Sequence, residues 1–460
     1  MVPRSANKPA PSHRQRARKA VDSGSAGTPK GTQRERLVEA MIELCTQSGY
    51  QGVSIAQISS RAGVSSATFY EQFDGKEDCL IAAYRAAAVR VFGQMTAVND
   101  SNWSDAARAT LGGLLKGLQS DPNAGRVIFI EALAGGPRLR EEQRRVRAEV
   151  GQRTGRFLDA TPTSDTLDIP TVALIGAVRS IVARHLRTNA EDQLPSLLED
   201  LLAWIGSYTT ATGKARWSTG PQALLELAAA EEPSPASRAP AKLPRGRHGL
   251  PAGVVARSQR TRIIHATAEV MMAKGYASAT VADIVAAAGV ARDVFYEHFT
   301  SKQHAFLEAQ RHPTQYILDA CAASYFAAEA WPERVWNFLY TLTRLISESP
   351  AIAHLRLVEC YAAGPVAIRR AEEITRSFTI FFEQGYGYRP QARELPRLCS
   401  QAVTGAIYEV IQRHVARHEA AELPQHLPQL VYVAIAPFTG AEEAIGLVEQ
   451  ISAKHLSIRR

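Results

Sequence analysis

The chain has 460 residues, 45% apolar and 21% charged, with a formal net charge of +8. That length exceeds one ordinary core and implies several folded units, while the apolar fraction excludes a mostly disordered chain. No apolar run reaches the roughly 18–20 residues needed to cross a bilayer, and the basic N-terminus lacks the apolar segment of a secretion signal, so the sequence reads as cytoplasmic with no membrane partner.

Residues 1–31 carry seven basic side chains against Asp22 and show no periodicity, which predicts a disordered basic tail. Leu37, Val38, Met41, Ile42 and Cys45 then recur at helical spacing up to Gly49. Ser54 and Gln57 have the spacing of a capping box that opens a second helix ending at Gly63. After that turn Ser65 suits the N-cap of a short helix running from Ser66 to Phe73. A fourth helix is expected behind Asp74 and Glu77, again at capping-box spacing. Two short helices around a glycine turn, braced by a preceding helix, are the elements of a helix-turn-helix, whose last member enters the major groove. Residues 80–212 read as amphipathic helices with short loops, such as Thr171–Arg187 and Leu194–Tyr208.

The second half repeats the first. Gln33–Leu80 aligns without gaps on Gln259–Phe306 at an offset of 226, with 17 of 48 positions identical. Downstream, Glu131 with Gly136-Pro137 answers Glu359 with Gly364-Pro365, and Arg184-His185 answers Arg413-His414. Leu194-Pro195 answers Leu423-Pro424, so the duplicated unit is an entire protomer of about 200 residues. The second copy has Thr280 and Asp283 at the capping-box position, Gly289 at the turn, and Thr300 with Gln303 before its fourth helix. Its later segments Leu398–Arg417 and Pro424–Ala436 match the last two helices of the first copy.

Residues 213–255, between the copies, are rich in Pro, Ala, Gly and Arg and read as a basic linker with a short helix at Gln222–Ala230. The excess positive charge thus sits in two arms, each leading into one motif, as a polyphosphate partner would require. The five cysteines lack paired or metal-type spacing and read as reduced core thiols. There is no nucleophile elbow, phosphate loop, zinc spacing or paired catalytic acid, so the expectation is a non-enzyme without a cofactor. His185 and His414 stand at matching sites, which suits either a metal or proton role or plain duplication.

Ile55–Phe73, and again Val281–Phe299, resemble the N-terminal signature of the TetR family of transcription regulators. The resemblance implies an all-α fold of two tandem TetR-like units. Each would be a three-helix DNA-binding head (32–78 and 256–304) followed by a helical ligand-binding and dimerisation domain (79–212 and 305–460). It implies double-stranded DNA as partner, with Ser66, Ala67 and Thr68 in one head and Arg292, Asp293 and Val294 in the other facing base edges. Asp293 departs from the small residue usual there, and offsetting the helix dipole, since Ala291 is a poor cap, competes with base reading.

Ser54, Tyr70 and Lys76, with Thr280, Tyr296 and Lys302, match the family's phosphate contacts. For the tyrosines the alternative is a half-buried ring with its hydroxyl in water; Phe69, Phe73, Phe295 and Phe299 read as core. Arg245 and Arg247, flanking a glycine, resemble a minor-groove arm, with a solvated linker as the competing reading.

In such proteins the last two helices of one protomer pair with those of another. Here the partner is expected to be the other half of the same chain, an intrachain pseudo-dimer, with a homodimer of two chains as the alternative. A linker of about 43 residues spans roughly 35–40 Å, near the roughly 34–36 Å between half-sites one duplex turn apart.

The resemblance also implies an unidentified small-molecule inducer. The second copy has the richer aromatic supply (Trp331, Trp336, Phe338, Tyr340, Tyr361, Phe378, Phe381, Phe382 and Tyr408), suited to core or pocket. The expected function is a sequence-specific, ligand-responsive repressor. The competing reading is a helical ligand-binding or scaffold protein with one or both reading heads decayed.

Overall fold

The computed structural model describes residues 31–95, 103–160, 171–208, 221–234, 237 and 249–458, and among these there is no strand. In the first half α1 (Gln33–Gly52) opens on a Thr32–Glu35 capping box and is interrupted at Gly49, whose φ of 68° requires glycine's freedom. The helices α2 (Ile55–Ala62), α3 (Ser66–Gln72) and α4 (Lys76–Phe92) complete the head and lead out of it. The body follows as α5 (Trp103–Ser120), α6 (Pro122–Phe129), α7 (Pro137–Ala160), α8 (Thr171–Arg187) and α9 (Leu198–Gly206).

After a connecting helix α10 (Pro221–Ala230), the second half repeats the order. Its head is α11 (Ala252–Ser278), α12 (Val281–Ala288), α13 (Arg292–His298) and the lead-out α14 (Lys302–Arg311). Its body holds α15 (Thr314–Phe326), α16 (Trp331–Glu348), α17 (Pro350–Leu357), α18 (Pro365–Ser377) and α19 (Ile380–Glu383), then α20 (Cys399–Ala416), α21 (Leu427–Thr439) and α22 (Ala441–Ile458).

Several boundaries differ from the sequence reading. The N-caps of α4 and α14 are Gly75 and Ser301, one residue later than Asp74 and Thr300, and only Ser301 caps with its side chain, accepting the His304 N–H at 3.1 Å. Each helix therefore begins on a lysine, Lys76 or Lys302, whose side chain reaches back into the head. The segments around Pro195 and Pro424 form 3-10 turns (Glu191–Leu197 and Ala420–His426), so α9 and α21 start later than the apolar spacing suggests. Proline lacks the amide proton that an α-helix interior needs.

The connection between the halves is not a free coil throughout. Leu224 of α10 is fully buried, the Ser234 N–H donates to Glu348 at 2.9 Å, and Glu231 takes the Tyr340 hydroxyl at 2.9 Å and pairs with Arg344 at 3.1 Å. The apolar side of α10 fastens this stretch to the second body, so it does not span as a flexible linker would. In addition α11 begins at Ala252, inside the range assigned to the linker.

The two halves meet where α8 crosses α20. A Cβ at Gly405 would lie 2.6 Å from Ser180 Cβ, and one at Gly176 would run into Glu409. Glycine at both positions is what lets the two backbones approach. Beside the crossing Arg179 donates to Glu409 at 2.9 Å, and Arg184 and Arg187 reach Gln401 and Glu372. Burial disfavours the Arg179 charge, but Glu409 more than offsets that and holds its pKa above the usual arginine value. Just past α9 the Tyr208 hydroxyl donates to the Val433 carbonyl of α21 at 2.8 Å. One apolar core runs from the first head and body through α8 and α20 into the second body, and a separate core joins the second head to α17 and α18.

Replacing Arg179 with Ala would leave the Glu409 carboxylate buried without its partner. We expect a loss of about 3–5 kcal/mol in urea unfolding, and an unaltered midpoint would contradict the role given to this pair.

Candidate nucleic-acid interface

Each head is built by short-range rules. In the first, Ser54 Oγ accepts the Gln57 N–H at 3.3 Å while Gln57 Oε1 accepts the Ser54 N–H at 2.8 Å. Gly63 turns the chain with φ 64°, and Ser65 Oγ accepts the Thr68 N–H at 3.0 Å to start α3. In the second, Thr280 and Asp283 form the same reciprocal box at 3.2 and 2.9 Å, and Gly289 turns the chain with φ 61°.

Fully or almost fully buried Phe69 and Phe73 fasten α3 in the first head, as Phe295 and Phe299 fasten α13 in the second. Fixing that apolar side decides what the other side presents. Ser66 and Ala67 are exposed with Thr68 half-buried, and Arg292 and Asp293 are exposed with Val294 half-buried. Tyr70 and Tyr296 stand out at 61% and 46% exposure, each ring edge-on to the buried Phe69 or Phe295 at 5.6 and 5.3 Å, and the caps Ser54 and Thr280 are exposed on the preceding helices.

The expected base-facing and phosphate-facing residues, the lysines apart, are thus exposed or half-buried on each head. Arg292 lies 5.8 Å over the Tyr296 ring and has no acid partner among the described residues. Ala291 gives α13 no side-chain cap, and Asp293 stands in the first turn with no side-chain hydrogen bond among the described residues, where its charge offsets the helix dipole only through space.

Lys76 and Lys302 have a role the sequence reading did not assign. Lys76 Nζ donates to the carbonyls of Tyr50 and Val53, both at 3.1 Å, and lies 4.4 Å over the Tyr50 ring. Lys302 donates to Tyr276 and Ala279 at 2.7 and 2.8 Å over the Tyr276 ring. Burial lowers the pKa of both ammonium groups. Two of three ammonium protons are thus engaged within the head.

The amide of the same residue is held from the body. Glu131 accepts the Tyr50 N–H at 2.6 Å, and Glu359 accepts the Tyr276 N–H at 2.5 Å; burial raises the pKa of both carboxyls. The recurrence of an acid shortly before Gly-Pro was the only sequence signal for this clamp. Arg36 and Arg262, also repeated, sit at the ends of α2 and α12, where Arg262 donates to the Ala288 and Gly289 carbonyls.

His185 and His414 each bond a carbonyl four residues back in their own helix, Ile181 at 2.9 Å and Val410 at 2.8 Å, a local contact that duplication carries along. All five cysteines are buried and unpaired. Arg245, Arg247 and the basic tail lie outside the described residues. No described helix is long and apolar enough to cross a membrane.

The second half holds an apolar cavity, open to solvent at its mouth, lined from α11, α14, α15, α16, α17, α18 and α20. Of the aromatic set named from the sequence, Phe338, Phe378, Phe382 and Tyr408 line it, whereas Trp331 and Trp336 belong to the core.

Residues 37–83 and 263–309 each match the model of bacterial regulatory proteins of the tetR family. Each half of the chain carries a tetR-family N-terminal domain. No curated protein sequence matches it. Similar solved structures include the fatty acid degradation regulator FadR from Bacillus halodurans, 20% identical, covering 38% of this chain and 94% of that one, TM-score 0.35. FadR from Bacillus subtilis in complex with stearoyl-CoA is 18% identical over 37% of this chain and 96% of that one, TM-score 0.31. The TetR-family regulator PfmR from Thermus thermophilus is 17% identical over 36% and 97%, TM-score 0.31.

Within the tetR heads the Lys76 clamp makes a separable prediction. Lys76→Met leaves two carbonyls without their donor and should weaken the first head by about 1–3 kcal/mol, read as faster amide exchange in α1 and α2, while Tyr70→Phe leaves exchange unchanged. Equal protection in wild type and Lys76→Met would refute the clamp. The second head carries an acid-sensitive cap. Lys274 first, then Thr280, lower the Asp283 pKa from 3.8 to about 2. A depressed carboxylate stabilises above its unfolded value and loses that contribution as pH falls through the folded one. Exchange in α12 should therefore accelerate between pH 4 and 2 more than in α2, where Gln57 is neutral; matching profiles would contradict this.

Proposed function

We propose that this tetR-family DNA-binding regulator is a ligand-responsive repressor working as a single-chain pseudo-dimer on an operator with two unlike half-sites. Its heads are 32–78 and 256–304 and its regulatory bodies 79–212 and 305–460. The observation that carries the reading is the α8–α20 crossing, which joins the bodies within one polypeptide through the buried Arg179–Glu409 pair. A partner held in the same chain is present at an effective concentration in the millimolar range, so pairing does not wait on a second molecule.

At the DNA, Ser66, Ala67 and Thr68 read one half-site and Arg292, Asp293 and Val294 the other. Arg292 can donate two hydrogen bonds to a guanine, and Ala67 or Val294 can touch a thymine methyl. Ser54, Tyr70, Thr280 and Tyr296 bind phosphates and set register. Lys76 and Lys302 serve first as clamps, each keeping one ammonium proton for a phosphate. Arg245 and Arg247 follow the adjacent minor groove.

The cavity supports a response to ligand. Its wall helix α17 leads within two residues to Glu359, which holds Tyr276 at the base of the second head. On the other wall Tyr408 bonds the Tyr361 hydroxyl at 3.0 Å, one residue from Glu409 at the crossing. A ligand that fits one placement of α17 and α20 better than another shifts the spacing of the heads, by no more than its difference in affinity for the two.

Titration of labelled fragments from the chain's own upstream region tests this. We expect one chain per operator, an affinity that falls steeply with salt, and a loss of about 1–3 kcal/mol at one half-site only for Arg292→Ala. Two chains per operator would replace the pseudo-dimer with a homodimer. No salt-sensitive specific complex in any ligand state would favour a ligand-binding or scaffold protein with decayed readers.

A further inference from the structure

Arg356 lines the apolar cavity from α17 and is 9% exposed, yet its Nη1 has no hydrogen-bond partner and no acid pairs with it among the described residues. Gln310, 1% exposed on the same lining, also has an unpartnered Oε1. An isolated buried cation is unfavourable, and such groups persist where a partner of opposite charge completes them. Burial draws the guanidinium pKa down to about 10, which still leaves it charged at neutral pH. His265 and His312 on the lining have pKa values lowered by burial, which favours their neutral forms. The cavity therefore offers one positive charge in an apolar enclosure walled by Phe338, Leu342, Phe378, Phe382, Ile407 and Ile411.

The duplication provides an internal comparison. α6 and α17 both begin on proline, Pro122 and Pro350, and the seventh residue of each is Ile128 in the first half and Arg356 in the second. Ile128 is buried, so the same helical position holds an ordinary apolar side chain in one body and an uncompensated cation in the other.

We propose that the second body binds an amphipathic monoanion, an apolar-chain carboxylic acid whose head pairs with Arg356 while its chain fills the cavity. This deepens the ligand-responsive reading and rests on it only for the consequence at DNA. The planar guanidinium matches a carboxylate with two parallel hydrogen bonds. A head with several negative charges would find one buried cation and remain largely uncompensated.

The experiment is calorimetric titration of the full chain, without DNA, by myristate, myristyl alcohol and myristoyl-CoA, on wild type and Arg356→Met, with circular dichroism confirming that the variant is folded. We expect myristate to bind the wild type about thirtyfold or more tightly than it binds Arg356→Met, and a comparable margin over the alcohol. Equal affinity for acid and alcohol, unchanged acid affinity in Arg356→Met, tighter binding of the thioester, or no binding of any of the three would overturn the assignment. A parallel gel shift separates it from the functional reading. Myristate bound without change at the operator refutes ligand-responsive repression and leaves the Arg356 site intact. Operator release by a neutral compound, with no acid bound, does the reverse.

Discussion

Glycine at positions 176 and 405 governs how this chain is put together, because any larger side chain at either place would collide with the facing helix. Close approach of α8 and α20 brings Arg179 onto Glu409 and lets Tyr208 reach the Val433 carbonyl, so polar contacts specify the register of an otherwise apolar contact. Two charges removed from water attract each other strongly only in good geometry, and such a pair acts against alternative alignments more than it adds to stability. The apolar core continues through this crossing from the first half into the second body.

Each head packs on its body through apolar contacts and is pinned at one residue. Tyr50 and Tyr276 are fixed at the N–H by a buried carboxylate of the body and at the carbonyl by a lysine at the start of the next helix. The arrangement occurs twice with nearly the same distances, and in both copies it follows a glycine with φ near 70°. A head pinned at its base can tilt as a unit when the carboxylate moves. The cavity in the second half lies beside α17, the helix that leads into that carboxylate's turn, whereas the position of the first half that corresponds to Arg356 is packed with Ile128. The duplicated units have thus diverged where a ligand would act and kept the clamp that would transmit its effect.

Much of the head was legible in the sequence because its determinants are local. Capping boxes, turn glycines and the spacing of Phe69 and Phe73 each act within a few residues, and repetition at a fixed offset tests each signal against its copy. The body was legible only as helices, since amphipathic spacing does not say which faces meet. Lys76 looked like a phosphate contact because its engagement with Tyr50 and Val53 depends on chain reversal more than twenty residues away. The later starts of α9 and α21 follow from Pro195 and Pro424, residues visible in the sequence whose effect competes with apolar periodicity. Arg356 drew no notice because an arginine on an amphipathic helix reads as solvated until the fold buries it.

The central claim is that two reading helices are carried at a fixed separation by one folded chain. The direct measurement is the distance distribution between spin labels at Glu71→Cys on α3 and Glu297→Cys on α13, both exposed, in a protein whose own five cysteines are buried. On operator DNA the account predicts a single narrow distribution near one duplex turn, roughly 34–36 Å, unchanged when labelled chains are diluted into unlabelled ones. A broad distribution, or a signal that disappears on dilution, would contradict it.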